Sequence, residues 1–221
     1  MKKYKAVITD FDMTIADTGD LIEECLYQNA LRFGFDFDRK ILRAGIGLTA
    51  EALYRKAGAN EEEAKMLHRE YIPYSAEAMI EKTTFFPGVK EGLRALSENG
   101  IPVSILSLKA SNQIMTPLKK AGIDGFITSV IGPGEVSAHK PKPDGIYYIS
   151  EKLGVALCEI LYVGDSVTDM KTALNAGVDF AAITAGAVSA EEFAEMGAKM
   201  IYPSFGEMCR DLISSTVFAQ I

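Results

Sequence analysis

Three consecutive β-forming residues with no polar face between them, Ala6, Val7 and Ile8, run directly into Thr9 and Asp10 near the start of the chain. A strand without a polar side must be covered on both faces, which restricts it to the interior of a parallel sheet flanked by helices. Asp10 and Asp12 then flank Phe11, and Thr14 follows two residues later. Ligands bind beyond the carboxyl ends of the strands in open α/β sheets, so both acids are expected at a ligand-binding edge.

After Thr14 the apolar spacing becomes helical. Asp17 and Thr18 are possible caps, Leu21, Ile22, Cys25, Leu26, Asn29, Ala30 and Phe33 form one face, and Gly34 can end the helix. Further helical pieces are predicted over 39–43, 49–57 and 60–80. The acidic run Glu61-Glu62-Glu63 suits the positive end of the last of these. No stretch between Ile15 and Thr83 reads as a strand. From Phe85 onward the pattern changes again, and strands over 102–106, 126–131, 160–163, 180–184 and 199–202 alternate with helices. Those helices span 89–98, 111–121, the residues after Pro143 as far as Leu153, 167–176, 189–196 and 205–213. Such alternation describes βαβ units. The predicted fold is therefore α/β, with a Rossmann-like parallel-sheet core carrying helices on both faces, built from 1–15 and 84–221. A small all-helical domain over 16–83 is inserted after the first strand.

Lys and Arg number 23 against 30 Asp and Glu, a net charge of −7. That balance disfavours nucleic acid or an anionic membrane surface as a partner, since both call for clustered basic charge. A small phosphate ester needs only local cations and stays open. No apolar run is long enough to cross a bilayer, and the N-terminal stretch from Met1 to Asp12 lacks a cleavable apolar segment, so a cytoplasmic location is expected. Cys25, Cys158 and Cys209 are odd in number and far apart, which suggests free thiols.

Phosphoryl transfer through a carboxylate requires a nucleophile, a proton donor for the leaving oxygen, a cation, and donors for the equatorial oxygens. Asp10 and Asp12 can fill the first two roles. Alone, Asp-x-Asp-x-Thr suits a turn or a helix cap equally well. The strand over 160–163, however, also runs into acids, in Gly164-Asp165-Ser166, with Asp169 four residues beyond Asp165. Ser166 or Asp165 can at the same time cap the following helix. Four carboxylates at one sheet edge repel one another unless a cation sits among them, and an oxygen-rich site that also receives phosphate suits Mg²⁺. Ser107, at the end of the strand over 102–106, can donate a hydroxyl to phosphate, and Lys109 lies two residues on. Lys140, in a loop with Pro141 and Pro143, can reach the sheet edge and bind a phosphate oxygen. Of the two histidines, His68 reads as a solvated surface residue and His139 as a neighbour able to orient Lys140.

In this order and placement the residues resemble the four motifs of the haloacid dehalogenase superfamily of phosphohydrolases, over essentially the whole chain. The resemblance implies that Asp10 is the nucleophile, Asp12 the general acid/base, Ser107 the second-motif hydroxyl and Lys140 the third-motif lysine. Asp165 matches the metal-binding acid, supported by Asp169 and Ser166. Mg²⁺ would be held by Asp10, Asp165 and the main-chain carbonyl of Asp12, with Thr14, Ser107, Leu108, Lys109 and Lys140 around the substrate. A helical insertion after the first motif is similar to the cap of the phosphoglycolate phosphatase and β-phosphoglucomutase branch, hinged near Ala16 and Thr84. The segment from Arg43 to Leu53 resembles the cap segment of phosphoglycolate phosphatases. Gly164-Asp165-Ser166 fits phosphatases better than the Glu-Asp-Ser form typical of the mutases. Met13 departs from the pattern, where glycine is common, as does Leu108, where asparagine often follows the hydroxyl residue.

The implied activity is Mg²⁺-dependent hydrolysis of a small phosphorylated metabolite, a phosphoglycolate-like monoester, through an aspartyl-phosphate. Cap closure would exclude water, and the protein would act as a monomer or homodimer. The alternatives are a β-phosphoglucomutase-like phosphomutase and, in another class, a phospho-accepting signalling module.

Overall fold

The computed structural model describes residues 4–217; Met1 to Lys3 of the N-terminal stretch and residues 218–221 of the second core segment lie outside the described residues. In chain order, β1 (Ala6–Thr9) and β2 (Ala16–Asp17) precede four helices, α1 (Gly19–Arg32), α2 (Arg39–Ala44), α3 (Ala50–Lys56) and α4 (Glu61–Lys82). Then come β3 (Thr84–Phe85), α5 (Val89–Glu98), β4 (Val103–Leu106), α6 (Ser111–Lys120) and β5 (Ile127–Ile131). The remainder is α7 (Asp144–Leu153), β6 (Ile160–Gly164), α8 (Val167–Ala176), β7 (Asp179–Ile183), α9 (Ala190–Glu195), β8 (Met200–Tyr202) and α10 (Phe205–Val217).

Six strands form one parallel sheet in the order β5-β4-β1-β6-β7-β8, so β1 lies inside it. Its alternating side chains feed two cores. Val7 packs with Val103, Ile105, Leu161 and residues of α5, α6 and α10, whereas Ala6 and Ile8 pack with Tyr162 and residues of α7 and α8. Burial on both sides explains the missing polar face, and each large side chain so buried contributes about 1.5–3 kcal/mol. The chain moves outward from β1 to β4 and β5, then returns to the other side of β1 as β6. The carboxyl ends of β4, β1 and β6 therefore surround the switch point where such sheets bind ligands. The register makes β1 and β6 end together: Thr9 lies opposite Val163, and the Asp10 amide donates to the Val163 carbonyl at 2.8 Å.

The helices α1 to α4 enclose an apolar cluster of their own that includes Leu26, Leu42, Leu53, Tyr54 and Leu67. Inside it the Asn29 amide donates to the Tyr54 hydroxyl and the Leu67 carbonyl, so its buried NH₂ group is satisfied. Asp38, Thr49 and Asn60 cap α2, α3 and α4, with Glu63 completing a reciprocal capping box.

One expectation is corrected between residues 15 and 83. Ala16–Asp17 is a strand, pairing antiparallel with Thr84–Phe85 where the chain leaves and re-enters the sheet region. Two residues are too few for an alternating pattern to register in the sequence. Cys25 and Cys209 are buried free thiols and Cys158 is an exposed one. Among the described residues no helix is long and apolar enough to cross a membrane.

Candidate active site

Beyond the end of β1 the chain turns sharply through Phe11 to Ala16. Met13 adopts φ 60° there, and the Ile15 and Ala16 amides both donate to the Phe11 carbonyl. A left-handed conformation costs a side chain-bearing residue about 1–2 kcal/mol, which gives a physical reason for glycine to suit that position. The turn leaves Asp10 buried at the sheet edge and directs the Asp12 carboxylate elsewhere. Asp12 Oδ1 accepts from the Lys109 ammonium at 2.5 Å and from the Thr18 hydroxyl at 2.7 Å. Thr18 stands at the N-cap position of α1 without capping it, its hydroxyl being committed to Asp12 instead.

At the end of β6, Asp165 and Asp169 join Asp10. One carboxylate oxygen from each of the three lies within 4.8 Å of the others, and all three residues are buried. Ser166 caps α8 and forms a capping box with Asp169, as its position suggested. Asp169 also accepts from Lys140 at 2.7 Å and from the Tyr162 hydroxyl at 2.9 Å. Thr14, expected near the substrate, is buried and donates to Asp165 Oδ1 at 2.7 Å, so it fixes that carboxylate. Glycine is required twice here. A Cβ on Gly164 would fall 2.4 Å from the Asp169 side chain, and one on Gly186 would fall 2.1 Å from Asp165 Oδ2. The Gly186→Ala substitution is accordingly expected to displace Asp165 and to weaken divalent-cation binding by about 10–100-fold, as seen by calorimetric titration. Unaltered affinity would show that Asp165 has room to move.

Lys140 is the one cation in this cluster. Its ammonium lies 2.9 Å from Asp10 Oδ1 and 2.7 Å from Asp169 Oδ1. Burial opposes its charge, but the two carboxylates outweigh burial and hold the ammonium above its ordinary value. Among the described residues the ammonium is the one group that answers the buried Asp10 Oδ1. Burial, opposed by Lys140 and reinforced by Asp169 and Asp12, pushes the Asp10 carboxyl up to about 7. Burial, reinforced by Asp169 and Asp10, pushes Asp165 well above the usual carboxylate range. Three buried carboxylates facing one ammonium, with an oxygen of each within 4.8 Å of the others, fit a divalent cation.

A pH dependence follows for the protein without metal. An unfolded Asp titrates near 3.9, so between roughly pH 4 and 7 the folded state binds more protons than the unfolded state. Stability is therefore lost as pH rises through that window. Melting in a chelator is expected to occur at lower temperature at pH 7.5 than at pH 5, with a shallower dependence for Asp10→Asn. A rise with pH that is identical in both proteins would contradict this.

The carboxyl ends of the strands open into a cavity of about 240 Å³ beneath the helical region. Asp10, Asp12, Ser107, Leu108, Lys109 and Lys140 line its floor. Ser107 is buried, and its hydroxyl oxygen accepts from the Lys109 amide at 3.2 Å. The structure thus gathers Asp10, Asp165, Asp169 and Lys140 in one cluster and Asp12 with Lys109 beside it. His68 is corrected. It is half-buried on α4, its Nδ1 is fully buried without a partner, and it lines the cavity. His139 is exposed. Thr18, Tyr162 and Gly186 were not singled out in the sequence as site residues; only Thr18 carried a signal, as a cap.

The profile of a family described as haloacid dehalogenase-like hydrolase matches residues 7–183. A phosphoglycolate phosphatase from Pasteurella multocida is 27% identical over 199 residues, 84% of this chain and 88% of that protein. The pyrophosphatase PpaX of Listeria innocua is 31% identical over 178 residues, 79% of this chain and 80% of its own length. A crystal structure described as a haloacid dehalogenase-like hydrolase from Bacteroides fragilis superposes with a TM-score of 0.87 at 29% identity, over 93% of this chain and 100% of that one.

Proposed function

The chain belongs to the haloacid dehalogenase-like hydrolases, in their phosphoglycolate phosphatase-like branch, and from that premise we propose that it is a Mg²⁺-dependent phosphatase acting on a small phosphorylated metabolite through a phosphoryl group carried on Asp10. The observation that carries the reading is the buried cluster of Asp10, Asp165 and Asp169 around Lys140 at the switch point of the sheet, of which Asp10 and Lys140 reach the floor of the cavity.

In this mechanism Asp10 and Asp165, with the Asp12 main-chain carbonyl, would hold Mg²⁺, which supplies positive charge against the phosphate and keeps Asp10 ionised. An Asp10 carboxylate oxygen forms a bond to phosphorus as the bond from phosphorus to the substrate alcohol breaks. Asp12 gives its proton to the departing oxygen. Water then attacks phosphorus, Asp12 takes the proton back, and the bond between phosphorus and Asp10 breaks to release phosphate. Lys140 and the Ser107 hydroxyl hold the equatorial oxygens, while Lys109 and Thr18 orient Asp12. Residues 16–83 are proposed to act as a separate cap domain hinged at the β2–β3 pair, closing over the site to exclude water.

The test is phosphate release from p-nitrophenyl phosphate with Mg²⁺, together with incubation with glucose 1-phosphate. The reading expects free phosphate and no isomerised sugar phosphate. Isomerisation would replace it by a phosphomutase, and a stable phosphoprotein without turnover by a signalling module.

A further inference from the structure

The wall of the cavity opposite the reacting groups is apolar. Leu26, Ile46, Leu48, Leu53 and Ile72 of the helical region line it, and Leu108 faces it from the end of β4. No Arg or Lys from the helical region reaches the cavity. Arg43, in the segment that resembles a phosphoglycolate phosphatase cap, pairs instead with Asp20 at 2.7 Å and lies over Gly19. The two lysines of the floor are already matched, Lys109 by Asp12 and Lys140 by Asp10 and Asp169. The polar side chains on the upper wall are His68, Tyr71 and Ser75, and of these the His68 Nδ1 is buried without a hydrogen-bond partner.

From this we infer that the leaving group is an uncharged alcohol with a largely apolar body, and that esters bearing a carboxylate or a second phosphate on the leaving side are poor substrates. The inference rests on the phosphatase reading of the same site. A charged group pressed against this wall would lose its hydration and meet no counter-charge, whereas apolar surface gains by leaving water. His68 offers a single hydrogen bond, as donor or acceptor, to one neutral polar function on such an alcohol. Selection against charge would thus come from the missing cation as much as from the apolar contacts.

The experiment compares kcat/KM for isobutyl phosphate and phosphoglycolate, two esters of nearly the same shape that differ in a dimethyl against a carboxylate end. Pyrophosphate serves as a third substrate, under matched Mg²⁺. Intrinsic reactivity favours phosphoglycolate, whose carboxylate-bearing alcohol leaves more readily, so a preference for isobutyl phosphate has to come from the pocket. The expected result is at least about a tenfold preference for isobutyl phosphate over both others. Ile72 is 47% exposed, and Ile72→Arg, which adds a cation at the rim, is expected to shift that ratio toward phosphoglycolate by about tenfold or more. If p-nitrophenyl phosphate is hydrolysed but phosphoglycolate or pyrophosphate matches or outruns isobutyl phosphate, the inference fails and the phosphatase reading stands. If no ester releases phosphate, both fall together.

Discussion

The Asp10→Asn variant is expected to lose at least about 10³-fold in kcat for p-nitrophenyl phosphate while remaining folded. Asparagine fills the same volume at the end of β1, and the Asp10 amide bond to the Val163 carbonyl is untouched, so the register with β6 survives. What disappears is the oxygen that would bond to phosphorus, and an amide is too weak a nucleophile to take its place. Burial already pushes the Asp10 carboxyl up to about 7, so the neutral amide relieves a cost in the metal-free protein, and melting in a chelator at pH 7.5 should be unchanged or higher. Turnover within tenfold of wild type would remove Asp10 from the chemistry.

A second large effect belongs to Lys140, and it falls on stability as well as rate. Methionine preserves most of the side-chain volume but leaves Asp10 and Asp169 without the ammonium that lies within 3 Å of each. Removing one partner of a buried ion pair costs about 3–5 kcal/mol because the remaining charge is uncompensated. For a chain of this size a loss of that magnitude lowers the melting temperature by on the order of 10 °C. Added Mg²⁺ should recover part of it, since a divalent cation answers the same carboxylates, whereas activity should stay low because Lys109, the other lysine of the cavity floor, is held by Asp12. A melting temperature equal to wild type in chelator would mean that the carboxylates are already neutral and that Lys140 does not hold the cluster together.

The sheet and its acidic edge were legible because burial on both faces writes a continuous apolar run into the sequence, and because each run ends in acids. Ala6 to Thr9 and Ile160 to Gly164 appear as strands almost to the residue, and their register brings Asp10 and Asp165 side by side. The β2–β3 pair was not legible, since two residues of strand carry no period. The partners of the acids were mostly illegible for another reason. Tyr162 reads as one more apolar residue of a buried strand, yet its hydroxyl meets Asp169, and Gly186 reads as a loop glycine, yet it alone leaves room for Asp165. Thr18 had the composition of a cap but spends its hydroxyl on Asp12. His68 was misjudged because charged neighbours on α4 suggested solvent, whereas the helix turns that face toward the cavity. Long-range pairings of this kind depend on which loops meet, and local sequence does not encode that.

If Asp10 carries the phosphoryl group while Asp12 handles protons, Asp12→Ala assayed with p-nitrophenyl phosphate separates the two roles most directly. Nitrophenolate leaves without a proton, so the first step should proceed while the second, lacking its base, should stall. Acid quenching and peptide mapping by mass spectrometry should then find close to one phosphoryl group per chain on the peptide containing Asp10, removable by borohydride reduction. A label on any other residue, or steady turnover with no label on that peptide, would contradict that division of roles.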